Sequence, residues 1–558
     1  MSNSQTYVGG RFVFGALPFG ILFSSSQAAI VGQIQADVAA GTLTAAQAGA
    51  LTGSLSGTTI NSLQAYNLSL PQVYQQAFGL PFFKQRSQRY SVFGQDTWKI
   101  RQNFTLNYGL RYFLDKQPDP LPLDKNNFQP RVGFSWDVFN NAKTVVRAGA
   151  GIYTGTVDSQ IVNVVNVLAS GNEPYQLNII TSSIQSPAAI SAPTIYQTLL
   201  AQGVIGTRSI TLADVAQFGL NRSPGRPLEA RIRLGEDFQN GESYQASAAV
   251  QQLLPGGFSV ELSYLFSRGI HLVRPADNRA YRLNPTPVTC ANGTVQQESC
   301  FSSQPRVQAI NPLIVLDAVY QSSANSFYHA GTLQVTKRLS NNFSLFANYT
   351  FAKTIDESTD FNTDFLAQNP LDRNDDRALS AFDQRHKVIV SGIINSPFEN
   401  SIAKDFVLSL IYNYGSGRPF NLVLGSDAIG NGDGRTLSDR PAGLARNTGK
   451  GDSFSSFDAR LGRRFFVREG RYLELTIEGF NLFNTSNFNG VNNIVGASCV
   501  ANLATNPNCP ASGNPAAANN FIIPANARPI SGRLPTEALG YTSAAAARQI
   551  QFGIRYNF

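Results

Sequence analysis

A period of two in the apolar residues constrains this chain more than any other feature, because it demands extended strands with two chemically different faces. In Asn103–Tyr112 the even positions are Phe104, Leu106, Tyr108, Leu110 and Tyr112, whereas the odd ones are Asn103, Thr105, Asn107, Gly109 and Arg111. Val132, Phe134, Trp136 and Val138 alternate in the same way with Arg131, Gly133, Ser135 and Asp137. Phe258, Val260, Leu262, Tyr264 and Phe266 alternate with residues that include Ser259, Glu261 and Ser263. At the carboxyl end Ile550, Phe552, Ile554, Tyr556 and Phe558 alternate with Gln549, Gln551, Gly553, Arg555 and Asn557. A soluble sandwich also alternates, so the connections between strands have to decide the class.

Those connections come in two lengths that take strict turns. Brief turns fall near Arg101–Gln102, Asn140–Ala142, Leu254–Gly257, Ser340–Asn342, Phe398–Ala403 and Val467–Gly470. Long stretches separate the resulting pairs, at 15–88, 114–127, 154–242, 268–326, 354–383, 415–454 and 486–547. An up-and-down transmembrane barrel has this signature, with short periplasmic turns on one rim and long extracellular loops on the other. A propeller or solenoid would show a fixed repeat length instead, and none is found. With Tyr7–Phe14 as the first strand the count is about 14, which puts both chain ends on the short-turn side. Glu229–Phe238 and Pro419–Gly425 are read as extra strands or as extensions above the membrane. Helix-like spacing (Ile195, Leu199, Leu200, Leu212, Val215) predicts short helices in 187–220, and the Ala/Gln/Gly/Leu-rich segment 24–80 is read likewise.

Composition agrees with an all-β membrane protein. Only 14% of residues are charged and 11% are aromatic, with 38 Phe and 20 Tyr, whereas a soluble chain carries about a quarter charged residues. Mean hydropathy is nevertheless −0.13, as expected when a lipid face and a water face average out. A secreted propeller or solenoid shares such totals. The longest apolar stretch, Phe12 to Phe23, is interrupted by Pro18 and is too short for a spanning helix of ~20 residues. No basic segment precedes it, so the start does not read as a signal peptide. The net charge of +8 is dispersed; it suits loops facing anionic lipopolysaccharide, and no Lys/Arg run points to nucleic acid.

Candidate chemistry is sparse. Cys290/Cys300 and Cys499/Cys509 form two local pairs in Gly/Asn/Pro/Ser-rich stretches with no His nearby. Two disulfides stapling long loops in an oxidising compartment fit that arrangement better than zinc, with free thiols as the alternative. The loop 427–440 holds Asp427, Asn431, Asp433, Gly434 and Asp439, but Ile429 and Arg440 occupy the first and twelfth positions of a calcium loop. A plain Asn/Gly/Asp turn is the expectation there, so no metal site and no cofactor are expected. His271, His329 and His386 are isolated and no hydrolase or phosphate-binding motif occurs. The chain is therefore read as a non-enzyme. Asp356, Glu357, Asp360, Asp364, Asp372, Arg373, Asp375, Asp376 and Arg377 crowd one long loop. They form either an external binding surface or, as the favoured reading, internal ion pairs. Arg111, Arg131, Arg147 and Glu261 are expected to point into the lumen.

Several hairpins resemble a known family. Tyr90–Tyr112 (YSVFGQDTWKIRQNFTLNYGLRY) is similar to the F-x-Q-D-x-W…L-T-L-N-x-G-L-R hairpin of TonB-dependent receptors, and Phe128–Tyr153 resembles the P-R-x-G…T-V-[VF]-R-x-G-x-G hairpin that follows it. Glu478–Phe488 (EGFNLFNTSNF) looks like their penultimate strand, and RQIQFGIRYNF like the closing one. Together these segments resemble the Oar-like TonB-dependent receptors. The resemblance implies a barrel of about 22 strands around a plug, coupled to the TonB energy complex through an amino-terminal part. Residues 1–558 would then be the carboxyl-terminal β-barrel domain, with plug and signal peptide absent. The implied function is outer-membrane uptake of an unidentified small molecule, oligosaccharide or peptide. A passive channel or an adhesion scaffold is the runner-up, and a barrel-embedded hydrolase a remote third. Implied partners are outer-membrane lipid, lipopolysaccharide and the barrel-assembly machinery, for which Phe552, Ile554, Tyr556 and Phe558 are the candidate signal. Deleting Phe558 is therefore expected to impair insertion; an unchanged, heat-modifiable, protease-resistant barrel in the outer membrane would contradict this.

Overall fold

The computed structural model describes residues 10–14, most of 34–78, 86–168, 177–182, 192–218, 229–284, 288–289, 295–296, 307–310, 314–360, 366–372, 376–423 except 401, 439–440, 445–491 except 469, 493 and 541–558. Thirteen strands form one continuous antiparallel meander. In chain order they are β1 (Gln88–Arg101), β2 (Phe104–Lys116), β3 (Phe128–Asp137), β4 (Thr144–Thr154), β5 (Glu242–Leu254), β6 (Phe258–Asp277) and β7 (Ile314–Ser340). They continue as β8 (Phe343–Asp356), β9 (His386–Asn395), β10 (Phe406–Gly415), β11 (Phe454–Arg468), β12 (Arg471–Phe480) and β13 (Gln549–Asn557). Each strand pairs with its sequence neighbours, so every connection is local and the expected up-and-down order is present.

The register sorts side chains into two faces. Following direct cross-strand partners from β2 to β10 gives Phe104, Trp136, Val146, Val250, Leu262, Leu333, Tyr349, Val388 and Tyr414, all apolar. Among the described residues nothing forms a packing layer opposite them; Leu262 is 62% exposed and Phe552, on the last strand, 79%. So wide an apolar surface marks contact with lipid. The same row measures the tilt. Phe104 opens its strand at the short-turn rim, whereas Tyr414 lies eight residues above Phe406, which opens its own. A climb of that length at ~3.3 Å per residue, over as many strand steps of ~4.8 Å, gives a tilt of roughly 35°, within the range of membrane barrels.

The short turns carry the conformations that sharp reversals need. Between β7 and β8, Asn341 and Asn342 both have positive φ (48° and 66°), as a two-residue type I′ hairpin requires. Gly256 and Gly257 do the same between β5 and β6, with φ of 76° and 79°. Lys337 faces the apolar side near this rim, yet it is buried, and its ammonium donates to the carbonyls of Ser340 (2.6 Å) and Phe343 (3.1 Å). Its stem lies along the apolar surface while the charge reaches the turn.

On the other rim β6 and β7 run on for 20 and 27 residues, far beyond the ~9–11 needed to cross. A register shift at Gly269–Leu272, with His271 at φ 54°, marks the lower part of this extension. Glu229–Leu234 pairs in parallel with Ile314–Tyr320 of the extension, and Pro419–Phe420 pairs with Gly449–Lys450. Both segments are thus extensions above the membrane. The expected loop helices are present at Ala45–Ser54, Ser62–Asn67, Ala192–Ala201 and Leu212–Ala216.

One expectation fails. Tyr7–Phe14 is not the first barrel strand, because Arg11–Val13 pairs with Val73–Phe78, which pairs in turn with Leu177–Ser182 in a separate three-stranded sheet. Phe12 stacks on Tyr74 at 4.6 Å and meets Tyr196 edge-on at 4.8 Å, so its ring enters a small apolar core rather than lipid. The meander therefore has an odd strand number, and each end strand has one unpaired edge among the described residues. Both β1 and β13 run from the long-loop rim to the short-turn rim, so a direct meeting would be parallel. Antiparallel closure takes an odd number of further strands.

Replacing Leu262, which sits near the middle of the apolar band, by Arg should destabilise the membrane-inserted chain by about 2–4 kcal/mol. Ser263→Arg on the opposite face should have a much smaller effect. Urea titration in vesicles measures both, and equal losses would refute the assignment of faces.

Candidate functional site

Two regions of this sheet could meet a solute: the polar face and the layer that the long loops build above it. On the polar face Arg147 donates to Gln251 Oε1 at 2.8 Å and lies 3.7 Å from Glu261. Arg111 donates to Ser91 Oγ, and Arg131 donates to Gln129 and covers the Tyr153 ring at 4.5 Å. Farther round, Arg460 bridges Glu478 (3.1 Å) and Glu474 (3.5 Å), and Arg464 reaches Glu474 at 3.9 Å. All the residues expected to face the lumen thus lie on this polar face. A cavity of ≈ 560 Å³ opens along β1–β5, with Gln95, Asn107, Arg111, Gln129 and Arg131 among its lining.

The loop layer is knit by burial and by charge. One apolar cluster joins Leu121, Val157, Ile161, Val162, Phe238 and Tyr320 from two connections and the upper extension of β7. Asp115 beside it is buried and accepts from Gln117 Nε2 (2.8 Å), the Val157 backbone N–H (3.2 Å) and Arg89 (3.3 Å). A second cluster holds Tyr74, Ala192, Ile195, Leu199, Val204 and Val215. Ile195, Leu199 and Val215, part of the helix-like spacing, are buried there, whereas Leu200 is exposed. Burial pushes the Tyr74 hydroxyl well above the ordinary tyrosine range. At the start of Leu212–Ala216 the hydrogen bonds from Arg208 and then Thr211 hold the Asp214 carboxyl well below the usual carboxylate range.

The acidic loop resolves in favour of internal pairing. Asp356 and Asp376 are buried and pair with Arg446 and Arg440, which arrive from the loop after β10. Arg446 also donates to the carbonyls of Asp356 (2.7 Å) and Asp376 (2.9 Å) and to Thr359 Oγ1 (2.9 Å). Glu357 accepts from the backbone and side-chain nitrogens of Asn325 at 2.9 and 3.1 Å. Asp364, Arg373 and Asp375 lie outside the described residues. So do all four cysteines, Cys290, Cys300, Cys499 and Cys509, and most of the calcium-like loop; Asp439, its described carboxylate, is buried. Among the described residues no cluster of three His, Cys, Asp or Glu side chains could hold a metal ion.

The histidines occupy places that their isolation in sequence did not suggest. His386 opens β9 at the loop-side rim. Its Nδ1 is hydrogen-bonded to the Tyr349 hydroxyl at 2.9 Å, with Phe351 5.2 Å away. His329 repeats this arrangement with Tyr264 at 2.7 Å and Phe266 at 5.0 Å. The recurring Tyr-x-Phe of Tyr264–Phe266 and Tyr349–Phe351 was visible in the sequence, but only the strand register sets a histidine opposite each. These pairs belong to an aromatic belt at the edge of the apolar band, as membrane barrels carry at their interfaces.

The family profile described as "Outer membrane beta barrel domain" matches residues 16–120 and 117–448. The chain belongs to this outer-membrane β-barrel family. It is therefore an integral protein of the outer membrane, with its apolar face in lipid. Among solved structures it is similar to the outer membrane transporter YddB from Escherichia coli (12% identity, covering 72% of this chain and 42% of that one, TM-score 0.40). It is also similar to the FrpB iron transporter from Neisseria meningitidis (13%, 74% and 45%, TM-score 0.39) and to the ferripyoverdine receptor of the Pseudomonas aeruginosa outer membrane (12%, 88% and 40%, TM-score 0.39). The barrel chain spans less than half the length of each. No curated protein matches its sequence. Phe552, Ile554 and Tyr556 stand on the lipid face of β13, opposite Ile477, Leu475 and Leu473, and Phe558 is 92% exposed just beyond them.

Arg446→Met would leave Asp356 buried without a cation, which destabilises its surroundings by about 3–5 kcal/mol. Hydrogen exchange over 354–385 should then accelerate while the membrane strands stay protected. Pairing it with Asp356→Leu should recover most of the loss, and no change in the single variant would contradict the network.

Proposed function

We propose that this chain is the barrel portion of a TonB-dependent receptor of the Oar-like kind, carrying a ligand of unidentified chemistry across the outer membrane. The observation that supports it most is the polar face of the sheet, where Arg147, Glu261, Arg460, Arg464, Glu474 and Glu478 line an aqueous interior with opposed charges. Above it, the long loops are tied into a structured layer that can present a ligand to that interior. The hairpins that resemble the receptors fall on the adjacent pairs β1–β2 and β3–β4, so the resemblance is carried by structural units rather than by scattered residues. In this reading the TonB complex acts through an amino-terminal part, the assembly machinery reads the Phe552–Phe558 strand, and no step is enzymatic. Solute specificity would lie in the loop layer and in whatever fills the lumen.

A passive channel is the second reading, favoured by the same water-accessible face if nothing occludes it. The two separate cleanly on protein purified from its native outer membrane as its gene produces it. A receptor should leave a planar bilayer nearly silent and should cross-link to TonB in cells. Steady ohmic conductance without a TonB cross-link would overturn the receptor reading.

A further inference from the structure

The lipid-facing side carries a group of cations at one height. On β7 the ring of Phe327 has two guanidinium groups beside it: Arg268 of β6 at 5.3 Å and Arg377, just ahead of the short strand Ala378–Leu379, at 5.5 Å. Two positions along β7, His329 stands directly between Phe266 on one side and Lys353 of β8 on the other. Arg268, Lys353 and Arg377 are all exposed, and none has an acidic partner among the described residues. Of the neighbouring carboxylates, Asp356 pairs with Arg446 and Asp383 with Arg385, while Glu242 accepts from the Tyr244 hydroxyl and Glu357 from Asn325, neither within ion-pair distance of the three cations. Like charges gathered without a direct ion pair repel one another, so the arrangement favours an anion seated among them.

Height identifies the anion. Arg268 and Lys353 each lie ten residues above the start of their strands, Phe258 and Phe343. At the tilt of this sheet that is about 27 Å from the short-turn rim, just above an apolar band about 25 Å tall. The group therefore sits at the headgroup level of the outer leaflet, with Tyr264, Phe266 and Phe351 below it among the acyl chains. We propose that Arg268, Arg377 and Lys353, with His329 hydrogen-bonded to Tyr264, bind the phosphorylated glucosamine headgroup of lipid A. Guanidinium forks match phosphate oxygens bidentately, and the imidazole on β7 and the ammonium on β8 reach the same level. This site rests on the outer-membrane location and not on transport, so it stands or falls independently of the receptor reading.

The full chain, extracted from outer membranes in mild detergent and washed free of lipid, is titrated by native mass spectrometry with bisphosphorylated lipid A, its dephosphorylated form and phosphatidylglycerol. The bisphosphorylated form should bind more tightly than either by roughly tenfold or more, the scale of two cations at an anionic surface. Arg268→Gln combined with Arg377→Gln should erase that margin, and the Lys replacements should retain part of it. Heat-modifiability confirms that each variant is folded, and the comparison of lipids on the wild-type protein needs no variant. Equal binding of both lipid A forms, equal binding of phosphatidylglycerol, or a folded Gln variant that keeps the margin would overturn the proposal.

Discussion

Every backbone N–H and C=O that enters hydrocarbon must find a partner in the protein, since lipid offers none and each orphan costs several kcal/mol. That single requirement forces the thirteen-strand ladder, and the ladder forces the rest. Once strands lie side by side, successive side chains face opposite ways, and a face in lipid becomes apolar while its reverse is free to carry charge. The row from Phe104 to Tyr414 and the pair Arg147–Glu261 are two sides of one hydrogen-bonded surface.

The loop rim obeys different physics because water returns there. Its connections satisfy themselves in the manner of soluble proteins, with small apolar cores around Ile161 and Tyr74 and with guanidinium–carboxylate pairs such as Arg446–Asp356. The pair is nearly dry, so its value is in fixing which loop lies on which, more than in net stability. Lys337 shows the transition on the opposite rim, where one side chain spans both environments by sending its charge to the turn.

Much of this was legible in the residues alone. Alternation and the rhythm of short and long connections are local signals, and they place β2, β3, β6 and β13 where the structure has them. The helices around Ile195 and Val215 were legible for the same reason. Tyr7–Phe14 misled because Phe12 and Phe14 alternate equally well for lipid or for a small core, and only the arrival of Tyr74 and Tyr196 from distant segments decides between them. Partnerships across long loops were out of reach. Nothing near Asp356 announces Arg446 ninety residues on, and nothing near Phe266 announces His329. Register across a loop depends on its whole three-dimensional course.

The odd number of strands in the meander has a consequence for company. Copies of this chain share one orientation in the membrane, so β1 and β13 point the same way in all of them. Any meeting of two free edges, whether of the same strand or of different ones, would bring strands together head beside head. No such encounter could extend the antiparallel ladder, and the edges left unpaired among the described residues are thereby poor templates for one another.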